Sequence, residues 1–253
     1  MKTGKKASRV RAAPRTAAAS RRPKPASRLA RGAGHEVAKR LSPVERRAQL
    51  LRLVEELFTQ RPYAQIAILD VARAANVTQG LVYHYFESKE ALFEAAVEAS
   101  AAELLRACMS DRALPIPRQF ELGLQGYLDH VEVHRVAYLN LFRGPAAVEP
   151  TFKAIADRTR QAIVDYIVDG MGLSNRQIPA TRLSLRGYVG YVENAILEWL
   201  EHPGVPRSVL ERMIFAVVIT ALRMGLASDK DVPLSPAQLL EFELAYKRHF
   251  GLP

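Results

Sequence analysis

Residues Val77–Phe93 read VTQGLVYHYFESKEALF and combine a glycine, three adjacent ring side chains and a lysine within helical spacing. Tyr83, His84 and Tyr85 follow one another directly, and Lys89 comes four residues later. A buried helix disfavours so many polar ring tips, because an unpartnered polar group is costly to bury. A helix that lies against a polar, anionic partner can use both the rigid rings and their hydrogen-bonding tips. The stretch therefore predicts a helix with a binding face.

The residues around this stretch predict two short helices joined by a tight turn. The first spans about 68–75, and Asn76 stands at the turn that follows it. Thr78 is expected to cap a second short helix at about 79–85, and Ser88 is expected to cap a longer one after it. This helix-turn-helix arrangement is typical of proteins that insert the second helix into the major groove of DNA.

The second short helix carries the predicted DNA contacts. Gln79 can hydrogen-bond to adenine N6 and N7, and Gly80 allows a close backbone approach. The ring tips can reach phosphates, while Lys89 adds charge at a helix start where free backbone N–H groups also favour an anion. Val82 and Phe86 are expected in the core. The predicted DNA-binding set is Thr78, Gln79, Gly80, Leu81, Tyr83, His84, Tyr85 and Lys89.

The rest of the chain predicts an all-α protein. Ser42 and Glu45 form the capping box of a first helix. Beyond Ser110 no useful β-alternation occurs, and long amphipathic helices separated by Pro and Gly are expected at about 117–133, 135–143, 150–171, 180–201, 207–227 and 236–250. We therefore predict a three-helix helix-turn-helix domain at 42–95 and an antiparallel helical bundle at 96–253.

The positive charge of the chain is concentrated at its start. Residues 1–40 contain 13 of the 36 Lys and Arg and one acid, Glu36, whereas the remainder contains 23 basic and 25 acidic residues. This segment has almost nothing to bury, and we interpret residues 1–41 as a disordered basic arm. It could bind nucleic acid, serve as a solvated leader without a specific role, or be an organelle transit peptide. The missing apolar stretch argues against a secretory signal.

Other function classes find little support in the sequence. The single cysteine, Cys108, excludes a disulfide framework and a Cys-based metal cluster. No apolar run is long enough for a membrane span. Phosphate-binding loops and hydrolase or metalloprotease motifs are missing, so we predict neither an enzyme nor a cofactor. His130 and His134 are four residues apart, but without a recognisable third ligand they are interpreted as a polar helix edge and no metal site is predicted.

Residues 45–95 resemble the DNA-binding domain of the TetR (tetracycline-repressor) family of bacterial transcription regulators. The resemblance rests on Leu57-Phe58, Asp70-Val71-Ala72, Val77-Thr78, Gly80, Tyr83, Tyr85-Phe86, Ser88-Lys89-Glu90 and Leu92-Phe93. It implies an all-α homodimer that binds a palindromic operator and releases it when a small molecule occupies the C-terminal domain. The chain departs from the family pattern with Ile66-Ala67 where Ser or Thr is usual and Leu69 where a polar residue is usual. These departures shift the expected contacts onto the second short helix, Lys89 and the arm.

Aromatic and polar side chains of the C-terminal segments are candidates for an effector pocket, because such pockets in helical domains are mostly apolar with a few polar anchors. The candidates are Tyr127, His130, Tyr138, Phe142, Tyr166, Tyr188, Tyr191 and Asn194. Each could instead be ordinary core. A lining of this kind favours an apolar or amphipathic effector, such as a fatty-acyl, aromatic or sterol-like compound.

The last long helices predict the dimer interface, as a four-helix bundle across a two-fold axis. The predicted interface residues are Tyr188, Val192, Ile196, Trp199, Ile214, Val218 and Leu222. The alternative is that these faces pack only within one subunit.

The sequence as a whole favours a ligand-responsive, sequence-specific transcription regulator in the bacterial cytoplasm, acting as a repressor. Its expected partners are a double-stranded DNA operator, a small-molecule effector and a second copy of the chain. The alternative is a general DNA-coating protein of the nucleoid type that binds mainly through its basic arm. A helical enzyme or lipid carrier is a weaker third possibility.

Overall fold

A computed structural model describes residues 41–202, 204–229 and 236–250. The basic arm predicted for residues 1–41 lies outside this range except for its last residue. The N-terminal helices are α1 (Pro43–Phe58), α2 (Ile68–Ala74), α3 (Gln79–Tyr85) and α4 (Lys89–Cys108). The helices that follow are α5 (Ile116–Val133), α6 (Arg135–Phe142), α7 (Pro150–Gly170), α8 (Pro179–Glu201), α9 (Arg207–Ser228) and α10 (Pro236–Phe250). Within the described residues the chain forms no strand, which confirms the all-α prediction.

The helix starts follow the local signals in the sequence. Ser42 and Glu45 form the predicted capping box, with Ser42 N–H donating to Glu45 Oε2 at 2.8 Å. Thr78 caps α3 and Ser88 caps α4, each through a side-chain oxygen that accepts from a backbone N–H three residues on. The six later helices fall within one residue of the predicted bounds. Two short 3₁₀ segments, Tyr63–Gln65 and Pro145–Val148, were not predicted.

The apolar core consists of two clusters, and α4 contributes to both. Leu92 and Phe93 are fully buried among α1, α2 and α3, whereas Leu104 and Cys108 are buried among the C-terminal helices. The first cluster also includes Phe152 from α7. The DNA-binding helices therefore share their core with the beginning of α7, and α4 is a continuous rod between the two clusters.

Two close helix contacts shape the C-terminal bundle. Gly126 lets α5 approach the end of α4, because a Cβ at this position would clash with the backbone of Ala107. Gly225 in α9 faces Thr181 in α8 in the same way. Asp229, at the end of α9, accepts hydrogen bonds from Thr181 N–H and Thr181 Oγ1, both at 2.7 Å. The start of α8 thus meets the end of α9, and the two helices run antiparallel. No helix in the described part of the chain is both long and apolar enough to cross a membrane.

Most of the residues predicted for the dimer interface are buried in the core of one subunit, which favours the alternative that these faces pack within the subunit. On α8, Tyr188, Val192 and Ile196 are at most 8% exposed, and on α9 Ile214, Val218 and Leu222 are at most 2% exposed. The predicted residue Trp199 is half-buried and donates from Nε1 to the Val205 carbonyl at 2.7 Å. An apolar helix face does not reveal what covers it, and here the chain's own core covers it.

Candidate nucleic-acid interface

The turn between α2 and α3 depends on a left-handed residue. Asn76 has a φ of 52°, a conformation that asparagine tolerates better than most side chains. Asn76 N–H donates to the Arg73 carbonyl at 3.1 Å, and Val77 N–H donates to the Ala72 carbonyl at 2.9 Å. The prediction of a turn at Asn76 is therefore confirmed.

The α3 helix divides its side chains cleanly between the core and the outside. Val82 is fully buried and Phe86, just after the helix, is 5% exposed. Gln79, Gly80, Tyr83 and His84 are exposed, and Thr78 at the cap is exposed beside them. Positions 79 and 83, like 80 and 84, are one turn apart and share a side of the helix. We call the five exposed residues from Thr78 to His84 the recognition face. Each belongs to the predicted DNA-binding set.

Apart from the Thr78 hydroxyl, which caps α3, the polar groups of the recognition face have no hydrogen-bond partner among the described residues. The side chains of Gln79, Tyr83 and His84 make no hydrogen bond to any described residue, although Tyr83 is 50% exposed and large. A Cβ at Gly80 would meet only Thr78 Oγ1, at 3.9 Å. Glycine in a helix is less favourable than alanine by about 1 kcal/mol. Among the described residues no close contact requires this glycine, so it is consistent with the predicted close approach of DNA.

The remaining three predicted contacts are less exposed. Leu81 and Tyr85 are half-buried on the flanks of α3. Lys89 points its Nζ at the ring of Tyr63, 4.3 Å from the centroid, rather than outward. Tyr63 in turn donates its hydroxyl to Glu90 Oε1 at 3.3 Å. Burial and this carboxylate raise the pKa of Tyr63 to about 12. A phosphate contact by Lys89 requires another rotamer and stays a prediction.

Sequence reasoning missed one basic residue beside the recognition face. Arg47 on α1 is exposed, and its guanidinium lies 5.2 Å from the centre of the Phe86 ring. This cation–π contact holds a positive charge next to the end of α3. Arg47 belongs to a different helix from the motif, so spacing within the motif could not identify it.

The C-terminal domain contains adjoining cavities between its helices. The first, of about 70 Å³, is almost entirely apolar and lies among α4, α5, α7 and α8. The second, of about 60 Å³, lies between α4, α5, α6, α7 and α8. Tyr127 lines both, and its hydroxyl lies 2.8 Å from that of Tyr138. Burial raises the pKa of both phenols, so both stay neutral.

A charged pair supplies the polar side of the second cavity. Arg160 Nε donates to Glu193 Oε2 at 2.9 Å, and its Nη2 donates to Glu193 Oε1 at 2.8 Å. This two-pronged geometry is the strong form of a carboxylate–guanidinium contact. Arg160 also donates to Asp157, at 2.7 Å. The cavity therefore offers apolar walls with one fixed polar anchor.

Six of the eight residues predicted for the effector pocket line these cavities. Tyr166 and Tyr188 line the first, Phe142 the second, and Tyr127, His130 and Tyr138 are also lining residues. Tyr191 and Asn194 are not among the residues that line these cavities. Tyr191 lies at the edge of the inward side of α8, and Asn194 is exposed and donates to the Gly190 carbonyl at 2.9 Å. Three-residue steps from Tyr188 rotate away from the cavity, which residue type alone does not show.

A third cavity, of about 50 Å³, adjoins the second at the boundary with α1. Its walls include Glu55, Ser100, His130 and His134. Burial, and the nearby ring of His134, lower the pKa of His130 to about 4, so this imidazole is neutral at pH 7. Burial raises the pKa of Glu55, which His134 only partly offsets. Cys108, in the first cavity, is an inert thiol because burial raises its pKa to about 12.

The outer sides of α8 and α9 carry small and apolar side chains. On α8 the outward positions at helical spacing are Leu183, Gly187 and Asn194, which are exposed, and Gly190, which is half-buried. On α9 the corresponding stripe is Met213, Val217, Thr220 and Met224, of which Val217 is half-buried. Leu183 is 75% exposed and Met224 is 65% exposed. A Cβ at Gly187 or Gly190 would meet no atom of the described residues within 4 Å. We call these eight residues the α8–α9 outer stripes.

Comparison with known families identifies both parts of the fold. The family model described as bacterial regulatory proteins of the tetR family matches residues 50–96. The model described as the tetracyclin repressor-like C-terminal domain matches residues 117–220. The first match contains the recognition face, and the second contains most of the cavity lining.

Individual relatives agree with the family models. The chain is 24% identical over 177 residues to the transcriptional activator FasR of Mycolicibacterium smegmatis, covering 67% of this chain and 78% of FasR. It is 27% identical over 121 residues to the transcriptional repressor KstR2 of Mycobacterium tuberculosis, covering 46% of this chain and 60% of KstR2. A crystal structure of a tetR-family regulator from Streptomyces coelicolor superposes with a TM-score of 0.65 at 26% identity, covering 83% of this chain and 90% of that one.

Proposed function

Because this chain belongs to the TetR family of bacterial transcription regulators, we propose that it is a homodimeric repressor that an apolar or amphipathic small molecule releases from its operator. The observation that carries the proposal is the recognition face. Its side chains Gln79, Tyr83 and His84 are exposed and make no hydrogen bond to the described residues, while the other side of α3 packs into the core. Its relatives include an activator and a repressor. Whether the protein represses or activates transcription is therefore tested with a reporter gene and is not inferred from its relatives.

DNA reading is assigned to the start of α3. Gln79 presents both a donor and an acceptor, the combination that recognises the N6 and N7 edge of adenine in the major groove. Gly80 admits the DNA backbone, and Tyr83 and His84 offer hydrogen-bonding tips to phosphates one turn later. Arg47 adds charge at the far end of the helix. Base reading and phosphate contacts thus come from successive parts of one exposed face.

A second copy of the chain is the proposed occupant of the α8–α9 outer stripes. Gly187 and Gly190 leave space that none of the described residues fills, and Leu183 and Met224 expose apolar surface. Small residues allow two helices to approach closely, and a symmetric pair of α8–α9 hairpins forms a four-helix bundle. A dimer with recognition helices about 34–36 Å apart reads half-sites roughly 10 bp apart.

The cavities of the C-terminal domain are the proposed effector site. They adjoin one another between Tyr166 at one end and Tyr138 at the other, which suits an elongated apolar molecule. Arg160 and Glu193 offer the polar anchor for the head of an amphipathic compound. Fatty-acyl, aromatic and sterol-like compounds fit this chemistry, because mostly apolar pockets use a few polar groups for orientation.

The α4 helix is the proposed connection between effector and DNA. Near its start, Leu92 and Phe93 belong to the same buried cluster as Val82 of α3, while Leu104 and Cys108 at its other end line the cavities. A ligand that tilts the far end of α4 moves the recognition face with it. The effect is bounded by the ratio of ligand affinities for the two states.

The test begins by selecting bound sequences from random DNA duplexes with the full chain. The proposal expects enrichment of a palindrome, tight binding by a dimer, and repression of a reporter that carries the palindrome in its promoter. Acyl and sterol-like compounds are then screened for a rise in melting temperature together with weaker operator binding. Failure to enrich any sequence would refute sequence-specific regulation. A compound that stabilises the protein without changing operator affinity would not be the effector.

The oligomeric state has its own test, with a matched control. Gly190→Arg places a charged side chain in the open space on α8 and should give a monomer by light scattering, with the helix content unchanged. Arg182→Ala, on the same helix as Gly190, removes a surface ion pair with Asp165 of α7 and should leave the dimer intact. A dimer that survives Gly190→Arg would move the interface away from the outer stripes.

The basic arm supports a second candidate, a general DNA-coating protein. With 13 basic residues and one acid, residues 1–40 can neutralise phosphates without reading sequence. Deleting them should weaken binding to all DNA and flatten the dependence of log affinity on log salt concentration. The ratio of operator to random affinity should then stay the same or rise. If deleting the arm abolished the preference for operator over random DNA, the sequence would be recognised by the arm and not by the recognition face.

A further inference from the structure

Three potential metal ligands from three parts of the fold meet at the junction of α1 with the C-terminal helices. Glu55 comes from α1, Glu103 from α4, and His134 from the boundary between α5 and α6. One ligand atom from each lies within 4.8 Å of the other two. In the remainder of the described chain no other group of His, Cys, Asp and Glu reaches this density. The three residues are far apart in sequence, so the fold alone brings them together.

Glu55 is poorly satisfied in this position. Its Oε1 is buried without a hydrogen-bond partner, and His134 Nδ1 lies 3.1 Å away. The side chains of Glu55 and His134 are only 23% and 26% exposed. A buried carboxylate is costly unless a cation or donors compensate it. Glu103 brings a second negative charge to the same place, and its own cation, Arg106, lies 3.7 Å away on the exposed side of α4.

We propose that Glu55, Glu103 and His134 bind a divalent transition-metal ion, with Zn²⁺ as the best match. One imidazole nitrogen and two carboxylate oxygens are ligands that Zn²⁺ accepts, whereas Mg²⁺ and Ca²⁺ prefer oxygen alone. Bonds of about 2.0–2.2 Å in a tetrahedral site place ligand atoms about 3.4 Å apart. The pair formed by Glu55 and His134 is already close to that separation, and Glu103 on the surface can rotate to complete the set.

The surroundings suit a site with three protein ligands and one open position. The adjoining cavity of about 50 Å³ is lined by Glu55, His134, His130 and Ser100, which leaves room and polar partners for a water ligand. The ring of His130 lies against that of His134, with 4.5 Å between centroids. His130 is therefore a positioning residue that limits how the His134 ring can turn.

The location gives the metal a consequence for DNA binding, which rests on the proposed function. Glu55 lies on a helix of the DNA-binding domain, and His134 lies in the effector-binding domain. An ion bound by both, and by Glu103 on α4, would hold the two domains in one arrangement. Because α4 connects the cavities to the recognition face, we expect Zn²⁺ to change operator affinity by altering the position of α3.

Metal binding is tested first, on the full chain after treatment with a chelator. Titration calorimetry with ZnCl₂ should show one strong site per chain, and a mass-spectrometric metal assay after desalting should find one equivalent of zinc. MgCl₂ and CaCl₂ should show no comparable site. Glu103→Gln, at an exposed position that the fold does not need, should reduce zinc affinity by more than the roughly 10- to 100-fold typical of losing an outer-shell partner. His134→Gln should do the same.

Two matched controls separate this site from general zinc binding by surface residues. Glu98→Gln removes a carboxylate from the same helix, five residues before Glu103, and should leave zinc affinity unchanged. His202→Ala removes an exposed histidine that also lies near a carboxylate, Glu198, at 3.7 Å. It should also have no effect on the strong site. Equal zinc affinity in wild type and in Glu103→Gln and His134→Gln, or no strong zinc site at all, would overturn the proposal.

Operator binding is measured second, with and without one equivalent of Zn²⁺. A change of affinity in wild type that Glu103→Gln abolishes would support the domain clamp. Zinc binding with unchanged operator affinity would overturn the clamp but leave the site. If the protein bound zinc as expected and no DNA sequence selectively, the proposed function would fail while the metal site stood.

Discussion

The recognition face and the lining of the second cavity, which we call the wall, carry similar polar side chains that differ in whether they are paired. On α3 the side chains of Gln79 and Tyr83 are exposed, and their polar groups have no hydrogen-bond partner among the described residues. In the C-terminal domain Tyr127 and Tyr138 bond to each other at 2.8 Å, and Arg160 holds Glu193 in two hydrogen bonds. Polar groups that are already paired contribute to stability, whereas unpaired exposed groups are available to a partner. Changes in the wall should therefore affect folding, and changes on the face should affect DNA binding.

The largest effect is expected in the wall. Glu193→Ala leaves Arg160 half-buried without its main partner and should lower the free energy of unfolding by about 3 kcal/mol. This value is at the lower end of the roughly 3–5 kcal/mol for breaking a buried pair, because Asp157 still binds Arg160. Denaturation with urea measures the change.

The matched control for this prediction lies five residues after Glu193 on the same helix. Glu198→Ala removes a carboxylate from the same helix that pairs with Arg143 at 2.6 Å but is 62% exposed. An exposed pair contributes about 0–1 kcal/mol, so this variant should unfold almost like wild type. Equal losses in the two variants would mean that burial does not distinguish the wall from the surface.

A smaller effect of another kind is expected on the recognition face. Gln79→Ala should weaken binding to the selected operator by about 1–3 kcal/mol, because one two-pronged base contact is lost. Binding to random DNA and the unfolding free energy should stay constant, since the exposed Gln79 side chain makes no hydrogen bond to any described residue. Competition binding with operator and random duplexes gives both affinities. If discrimination were unchanged, Gln79 would not read a base.

The contrast also explains what the sequence could predict. The capping residues Ser42, Thr78 and Ser88 act within three residues of themselves, and Asn76 determines its turn locally. Helix bounds and the recognition face follow from such short-range signals. Val82 and Phe86 were assigned to the core for the same reason, because their spacing opposes that of the exposed residues.

Features that depend on distant parts of the chain could not be found in this way. The dimer prediction selected the most apolar faces of α8 and α9, which the subunit's own core covers, while the exposed stripes contain glycine and threonine. The metal ligands Glu55 and Glu103 lie on other helices than His134, so the histidine pair lacked a visible third ligand. Arg47 reaches the end of α3 only through the packing of α1 on Phe86.

The turn at Asn76, between α2 and α3, allows the effects on stability and on DNA binding to be compared in one variant. Asn76→Ala forces an ordinary side chain into the left-handed conformation at φ 52° and should destabilise the fold by about 1 kcal/mol. Asn76→Gly, which is free of that strain, should be close to neutral. Operator affinity should fall only as far as the folded fraction falls. A greater loss of affinity in folded Asn76→Ala would show that the turn also sets the direction of α3.

The smallest change in stability is expected at Gly80, and its sign distinguishes the two regions most sharply. Gly80→Ala adds a Cβ that meets only Thr78 Oγ1 at an ordinary contact distance, so the helix should become more stable by up to about 1 kcal/mol. The same Cβ stands on the recognition face, where the DNA backbone is expected to approach, so affinity for both operator and random DNA should fall. Thermal melting and fluorescence anisotropy measure the two quantities on one sample. If Gly80 allows the DNA backbone to approach α3, the variant should be more stable and should bind DNA more weakly. Higher stability with unchanged binding would show that nothing approaches α3 at this point, and the contact would then have to lie further along the helix, toward Tyr83 and His84.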